Sequence, residues 1–202
     1  MLRRFLAVVA ATLAVVPVAS AARVHVRVEG KTQTIFGTTA PLVNVTANAL
    51  DALAAAGSAG EFYYHVQQTS FGPYVDQIGL YAAAGQTGWV FKVNGKSPPV
   101  GADAVQLHDG DTVLWYWAQF GIAGGPKTLL LERVAGQKNC YRVYAEDDAG
   151  TRTPAVGAVL RVGAKRTVAT QGSTQAAVGC VGKHTGLVRA TLGGAVRSNA
   201  LA

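Results

Sequence analysis

The chain is poor in charge, in sulfur and in recognisable catalytic motifs. Only 14% of its 202 residues are Asp, Glu, Lys or Arg, and half are apolar, which excludes disorder and predicts a folded core. No G-x-S-x-G elbow, H-E-x-x-H helix, Walker loop or dinucleotide fingerprint occurs. The histidines are His25, His65, His108 and His184, and no two stand at metal-ligand spacing. The two cysteines lack nearby partners at the spacing of a zinc site. These absences predict a protein that is not an enzyme and that has no metal and no cofactor. Beyond the N-terminus no apolar run approaches the roughly 20 residues of a spanning helix, so no membrane span is expected.

The N-terminus itself is distinctive. Arg3 and Arg4 precede an uncharged apolar run from Phe5 to Val18, and "ASA" follows at Ala19 to Ala21. A short basic region, an apolar core and small residues at the end form the pattern of a secretory signal peptide. Residues 1–21 are therefore expected to be removed after about Ala21, leaving a secreted, extracellular, monomeric protein. In an exported chain the even count of Cys140 and Cys180 favours a disulfide.

Charge divides the remainder. Residues 22–125 hold five basic and seven acidic side chains, a balance of −2; residues 126–202 hold eleven and four, a balance of +7. The break falls at "GIAGGPK", a Gly/Pro linker pattern. The expected organisation is a first domain over 22–121, a linker over 122–127 and a second domain over 128–202. The arginines of the second domain are scattered and few aromatics lie among them, so they read as solubilising surface charge. No nucleic-acid partner is expected.

In the first domain, "ARVHVRVEG" alternates. Val24, Val26 and Val28 share one face of a half-buried strand, and His25 and Arg27 share the wet face. "VTANALDALAAAG" reads as a helix with Thr46 as N-cap, Val45 stapled onto Leu50, and Gly57 as the C-terminal cap. Asn94-Gly95 marks a two-residue hairpin, and Pro98 and Pro99 keep the return segment from pairing fully. In "LHDGDTVLWYWAQF", Asp109-Gly110 reads as a tight turn between the strand "AVQL" and the strand "TVLWYW", with Asp111 bonding nearby amides. That turn accounts for both carboxylates without chemistry.

The order of these pieces resembles one family. "PY-x-x-x-I-G" at Pro73 to Gly79, "GW-x-x-x-VNG" at Gly88 to Gly95, "GA" at Gly101-Ala102 and "L-x-DGD-x-V-x-W" at Leu107 to Trp115 are similar to the transcobalamin C-terminal-like domain. More loosely they resemble the soluble-ligand-binding β-grasp modules. The resemblance implies a compact, mostly antiparallel β domain with one helix, carried in bacteria on secreted or surface proteins as a modular binding unit. In transcobalamin and intrinsic factor the domain closes over cobalamin together with a helical barrel. This chain has no room for that barrel.

The second domain consists of short apolar stretches every 8–12 residues, punctuated by Gly, Asn, Asp and Thr. That spacing predicts an all-β sandwich of about seven strands. Cys140 opens one strand and Cys180 ends another, so their bridge is expected to staple the sandwich. The tail, with Gly186, Val188 and Ala190 leading to Arg197, Ser198 and Asn199, resembles the last strands of bacterial immunoglobulin-like modules. The fold class is thus mainly β: a small α+β, β-grasp-like domain with one helix, then an immunoglobulin-like sandwich.

The candidate ligand-binding residues are Tyr74, Trp89, Tyr116 and Trp117. In "TVLWYW", Val113, Trp115 and Trp117 share one face, and Leu114 and Tyr116 share the other. Trp89 and Trp115 are expected in the core. Tyr116 and Trp117 are open between the core and an exposed aromatic strip. The function expected is non-enzymatic binding of an unknown small molecule or a cell-envelope component. The alternatives are an accessory binder of a cobalamin-like nutrient for a transporter, or a wall-associated adhesion module.

Overall fold

The computed structural model describes residues 21–121, 124–163 and 177–202, and the backbone of 166–169. The leader before Ala21, part of the linker and part of the strand pattern over 164–176 lie outside the described residues. Among the described residues the chain is mainly β with one helix, and no helix is long and apolar enough to cross a membrane.

The first half runs β1 (Ala22–Glu29), β2 (Thr34–Phe36), β3 (Leu42–Val45), α1 (Ala49–Gly60), β4 (Tyr64–Thr69), β5 (Gly72–Ile78), β6 (Tyr81–Ala82), β7 (Thr87–Val93) and β8 (Thr112–Gln119). Its main sheet has the order β2-β1-β8-β7, with β3 also on β1; β4, β5 and β6 form a second, small sheet. β1 and β8 run parallel, placing Val26 beside Val113 and Glu29 beside Tyr116. The other ladders of this half are antiparallel. Val24, Val26 and Val28 are fully buried against Leu53 and Ala56 of α1.

The ends of α1 differ from the sequence expectation. Its N-cap is Asn48, not Thr46: Asn48 Oδ1 accepts from Asp51 N (2.9 Å), and Asp51 Oδ2 accepts from Ala47 N and Asn48 N (3.1 and 3.3 Å). Asp51 thus completes a capping box, which outweighs a lone threonine. The C-cap is Glu61, at φ +50°, beyond Gly57. Gly57 instead lets the helix approach β4, since a Cβ there would stand 3.2 Å from the Tyr64 ring.

The second half runs β9 (Thr128–Arg133), β10 (Cys140–Glu146), β11 (Arg152–Pro154), β12 (Val159–Val162), β13 (Arg166–Ala169), β14 (Val178–Cys180), β15 (Val188–Thr191) and β16 (Ala200–Leu201). One sheet gathers β9, β11 and β14 around β10; the other has the order β13-β12-β15-β16. They form a sandwich around Leu131, Tyr141, Val143, Leu160 and Val188. Cys140 and Cys180 are bonded and stand directly opposite in β10 and β14. The bridge therefore joins neighbouring strands of one sheet rather than stapling the two sheets together.

The sheet face expected to be wet is covered. His25, Arg27 and Glu29 of β1, Lys92 of β7, and Leu114 and Tyr116 of β8 lie against the second half. Arg27, Glu29, Lys92 and Tyr116 are all buried. Glu29 has no exposed side-chain surface and meets three guanidinium groups. Arg27 Nη1 donates to its Oε1 at 3.1 Å, Arg197 Nε to its Oε2 at 3.0 Å, and Arg189 Nη2 closes a third contact. Arg197 also donates to the Gly30 carbonyl (2.5 Å), and Arg189 to Thr34 Oγ1. Lys92 Nζ donates to Thr128 Oγ1 (3.2 Å) and to the carbonyls of Glu146 (3.1 Å) and Asp147 (2.7 Å). Two of the arginines read as surface charge, Arg189 and Arg197, thus face Glu29 in the interface between the halves.

Removing one partner of a buried charge cluster strands the others, at a cost of about 3–5 kcal/mol. Glu29→Ala is accordingly expected to lower the unfolding free energy by that amount in chemical denaturation. A loss under about 1 kcal/mol, typical of an exposed pair, would contradict the buried cluster. For the disulfide, which closes a separation of 40 residues, the chain-entropy model gives roughly 3–4 kcal/mol. The double variant Cys140→Ala/Cys180→Ala should lose a comparable amount, and an unchanged midpoint would contradict it.

Candidate functional site

The "HDGD" segment turns out to organise the sheet. Gly110 takes φ +83°, and its amide donates to the Arg23 carbonyl (2.8 Å) while Asp109 Oδ1 accepts from Arg23 N (2.7 Å). Asp111 accepts from His108 N (2.8 Å) and from Asn94 Nδ2 (2.7 Å). Both carboxylates are occupied with these donors, as the turn reading expected. However, "AVQL" is not a strand; only an isolated bridge from Gln106 to Asn48 is present. The turn leads into β8 from a loop and fixes where β8 starts beside β1. Asn94 and Gly95 adopt positive φ (51° and 81°), and the chain after them leaves the sheet at Lys96 before the two prolines.

The rings then divide by face. Trp115 is buried, stacks on Phe91 with centroids 5.0 Å apart, and donates Nε1 to the Ala49 carbonyl. Trp89 is buried, donates Nε1 to the Tyr81 carbonyl (2.8 Å) and meets Trp117 edge-on at 5.7 Å. Trp117 is half-buried between Trp89 and Tyr81. Tyr116 is buried on the opposite face with Ala118, against Val196 of the second half. Neither face of β8 is therefore a freely wet aromatic strip; the second half occupies the face that carries Tyr116.

Two openings remain beside these rings. The first, of about 330 Å³, is walled by Tyr74, Trp89, Phe91, Tyr116 and Phe120, with Asp148 at one side. It brings together three of the four sequence candidates. The second is a larger cleft of about 690 Å³ between the halves, lined by Trp117, Phe120, Gln86, Gln119, Lys31 and Arg197. Trp117 belongs to this cleft alone, and Phe120 borders both. Gly88 matters locally, because a Cβ there would stand 2.7 Å from the Tyr74 hydroxyl.

The floor of the first opening is the edge of β7. Asn94 N donates to Thr112 O and Phe120 N to Gln86 O, so even-numbered residues of this stretch bond to β8. Odd-numbered ones face outward. Thr87 and Val93 are closed by local pairs with Ala84 and Lys96. Among the described residues, the backbone N–H and C=O of Trp89 and Phe91 have no such pair. Unpaired edge groups beside aromatic walls can bond a ligand that carries its own donors and acceptors.

Phe120, Asp148 and Lys92 were missed by sequence reasoning. Phe120 stood in the quoted aromatic run, at its end. Asp148 reaches the site only through tertiary structure: Ser97 N donates to its carbonyl (2.8 Å) and Ser97 Oγ to Oδ1 (3.0 Å). Among the described residues no group of three or more His, Cys, Asp or Glu is placed to hold a metal ion.

The sequence model of a family described as a domain of unknown function (DUF4430), which is associated with transcobalamin-like domains, matches residues 46–119. The match runs from just before α1 to the end of β8, and so contains Tyr74, Trp89, Tyr116 and Trp117. No curated protein matches the chain.

Burial pushes the Tyr116 phenol above its ordinary pKa of 10.0, and the Asp148 carboxylate adds to the shift. Its folded-state pKa is raised, so its contribution to stability is full below pH 10 and is lost as pH rises through the folded value. Phenolate difference spectroscopy should find tyrosine absorbance that appears only well above pH 10, and Tyr116→Phe should remove the latest step. Persistence of the late step in the variant would place the buried phenol elsewhere.

Proposed function

We propose that the protein is an exported, non-enzymatic binding protein whose ligand lies in the aromatic opening at the edge of β7. The observation that carries this reading is the pair of unbonded backbone edges at Trp89 and Phe91, set between the rings of Tyr74, Tyr116 and Phe120. Rings supply apolar faces, and backbone groups supply direction. The matching ligand is a small molecule or cell-envelope component with amides of its own and at least one apolar face. Export is supported by the basic-then-apolar start and by the disulfide, which suits an oxidising compartment. The second half then acts as an immunoglobulin-like spacer that also covers the other face of the sheet. A cobalamin-like nutrient role is supported by the family resemblance, with no feature of the opening that selects a corrin ring.

Two of the three tryptophans, Trp89 and Trp117, border the openings, so intrinsic fluorescence reports occupancy. Titration with soluble peptidoglycan fragments should give a saturable change, and Phe120→Ala should weaken it roughly tenfold, about 1.4 kcal/mol. A parallel titration with cobalamin separates the nutrient reading. No saturable change with the fragments, or one unaffected by Phe120→Ala, would overturn the proposed site.

A further inference from the structure

A third, separate cavity lies in the interface itself. It measures about 190 Å³ and is lined by His25, Arg27, Lys92, Thr128, Glu146 and Asn199, among others. Liquid water takes about 30 Å³ per molecule, so this space suits one small oxyanion with a few waters.

Its charge is unbalanced. Arg27, Arg189 and Arg197 surround the single carboxylate of Glu29, a surplus of two positive charges in a buried cluster. Lys92 lies two strands away on the same sheet face, with Leu114 between; its Nζ is held by three uncharged oxygens and pairs with the Asp148 carboxylate at 3.8 Å. Glu146 is the acid on the wall, and Arg152 Nε already bonds it at 2.9 Å. Surplus buried charge is costly unless a counter-charge reaches it.

Arg27 is placed to receive that counter-charge. The residue is 7% exposed, and its Nη1 is used by Glu29 and by the Arg197 carbonyl (2.6 Å). Among the described residues, its Nε and Nη2 have no hydrogen-bond acceptor. They are not sealed in by protein either, since among the described residues the one fully enclosed side-chain nitrogen without a partner is Arg142 Nε. The free donors of Arg27 therefore open onto the space that it lines. His25 stands beside it, with Nδ1 bonded to the Ala40 carbonyl at 2.7 Å.

We propose that this cavity binds a small oxyanion, of phosphate or carboxylate size, through the free donors of Arg27, with Lys92 lining the same space. Planar guanidinium donors match two oxygens of such an anion. Burial lowers Arg27 to about 10, which still leaves it charged at neutral pH.

The test uses the intact protein with inorganic phosphate, sulfate or acetate, each compared with sodium chloride at equal ionic strength. Line broadening of the ³¹P signal and a rise in thermal midpoint above the chloride control are expected. Arg27→Gln should reduce the affinity at least tenfold, and Arg161→Gln, on the exposed surface, should leave it unchanged. Should Arg27→Gln fail to fold, Leu130→Phe tests the same point: Leu130 also lines the cavity, and the larger ring fills it without touching a charge. Midpoints that match the chloride control with all three anions would overturn the proposal. So would phosphate binding that survives Leu130→Phe or Arg27→Gln, because it would then be a surface effect.

Discussion

Glu29 is the constraint on which the arrangement rests. A carboxylate with no exposed surface requires partners, and β1 alone supplies one, Arg27. The other two come from the far end of the chain, Arg189 and Arg197. Their grip brings the second half down on the face of the sheet that carries Lys92, Leu114 and Tyr116. Everything special about the site follows. Tyr116 is buried there and not displayed, the larger cleft opens where the two halves part around Trp117, and the small cavity forms where charged side chains prevent close apolar packing.

Much of the fold was legible because it is local. The period-two alternation of "VHVRV", the Asn-Gly turn and the Asp-Gly turn before β8 depend on neighbours within a few residues, and the paired cysteines were legible from their even count. Helix ends were less legible, since Thr46 and Asn48 are both acceptable caps and only Asp51, three residues after Asn48, decides between them. The face of β1 was misjudged for a different reason. Arg27 and Glu29 beside His25 look like a solvent face, and only the partner arginines some 160 residues away make them interior.

A signal for that interface did exist. The first half carries a balance of −2 and the second of +7, and the same strands that place charges on one face place Leu114, Tyr116 and Val90 there too. A face that mixes large apolar groups with charges is poorly suited to water and poorly suited to a dry core. It fits an interface with a partner of complementary charge. Of the candidate site, Tyr74, Trp89 and Tyr116 do converge on one opening, whereas Trp117 faces another. The open edge of β7 was not legible, because it depends on which residues bond to β8 and on where the chain leaves the sheet after Lys96.

The central claim is that the second half seals the charged and aromatic face of the first. Hydroxyl-radical footprinting of the intact protein addresses it most directly, by comparing the modification of Tyr116 with that of Tyr63, which is 59% exposed. The account predicts that Tyr116 is modified far more slowly than Tyr63, and that Glu29→Ala raises the rate at Tyr116 while leaving Tyr63 unchanged. Equal rates at the two tyrosines in the unmodified chain would contradict it.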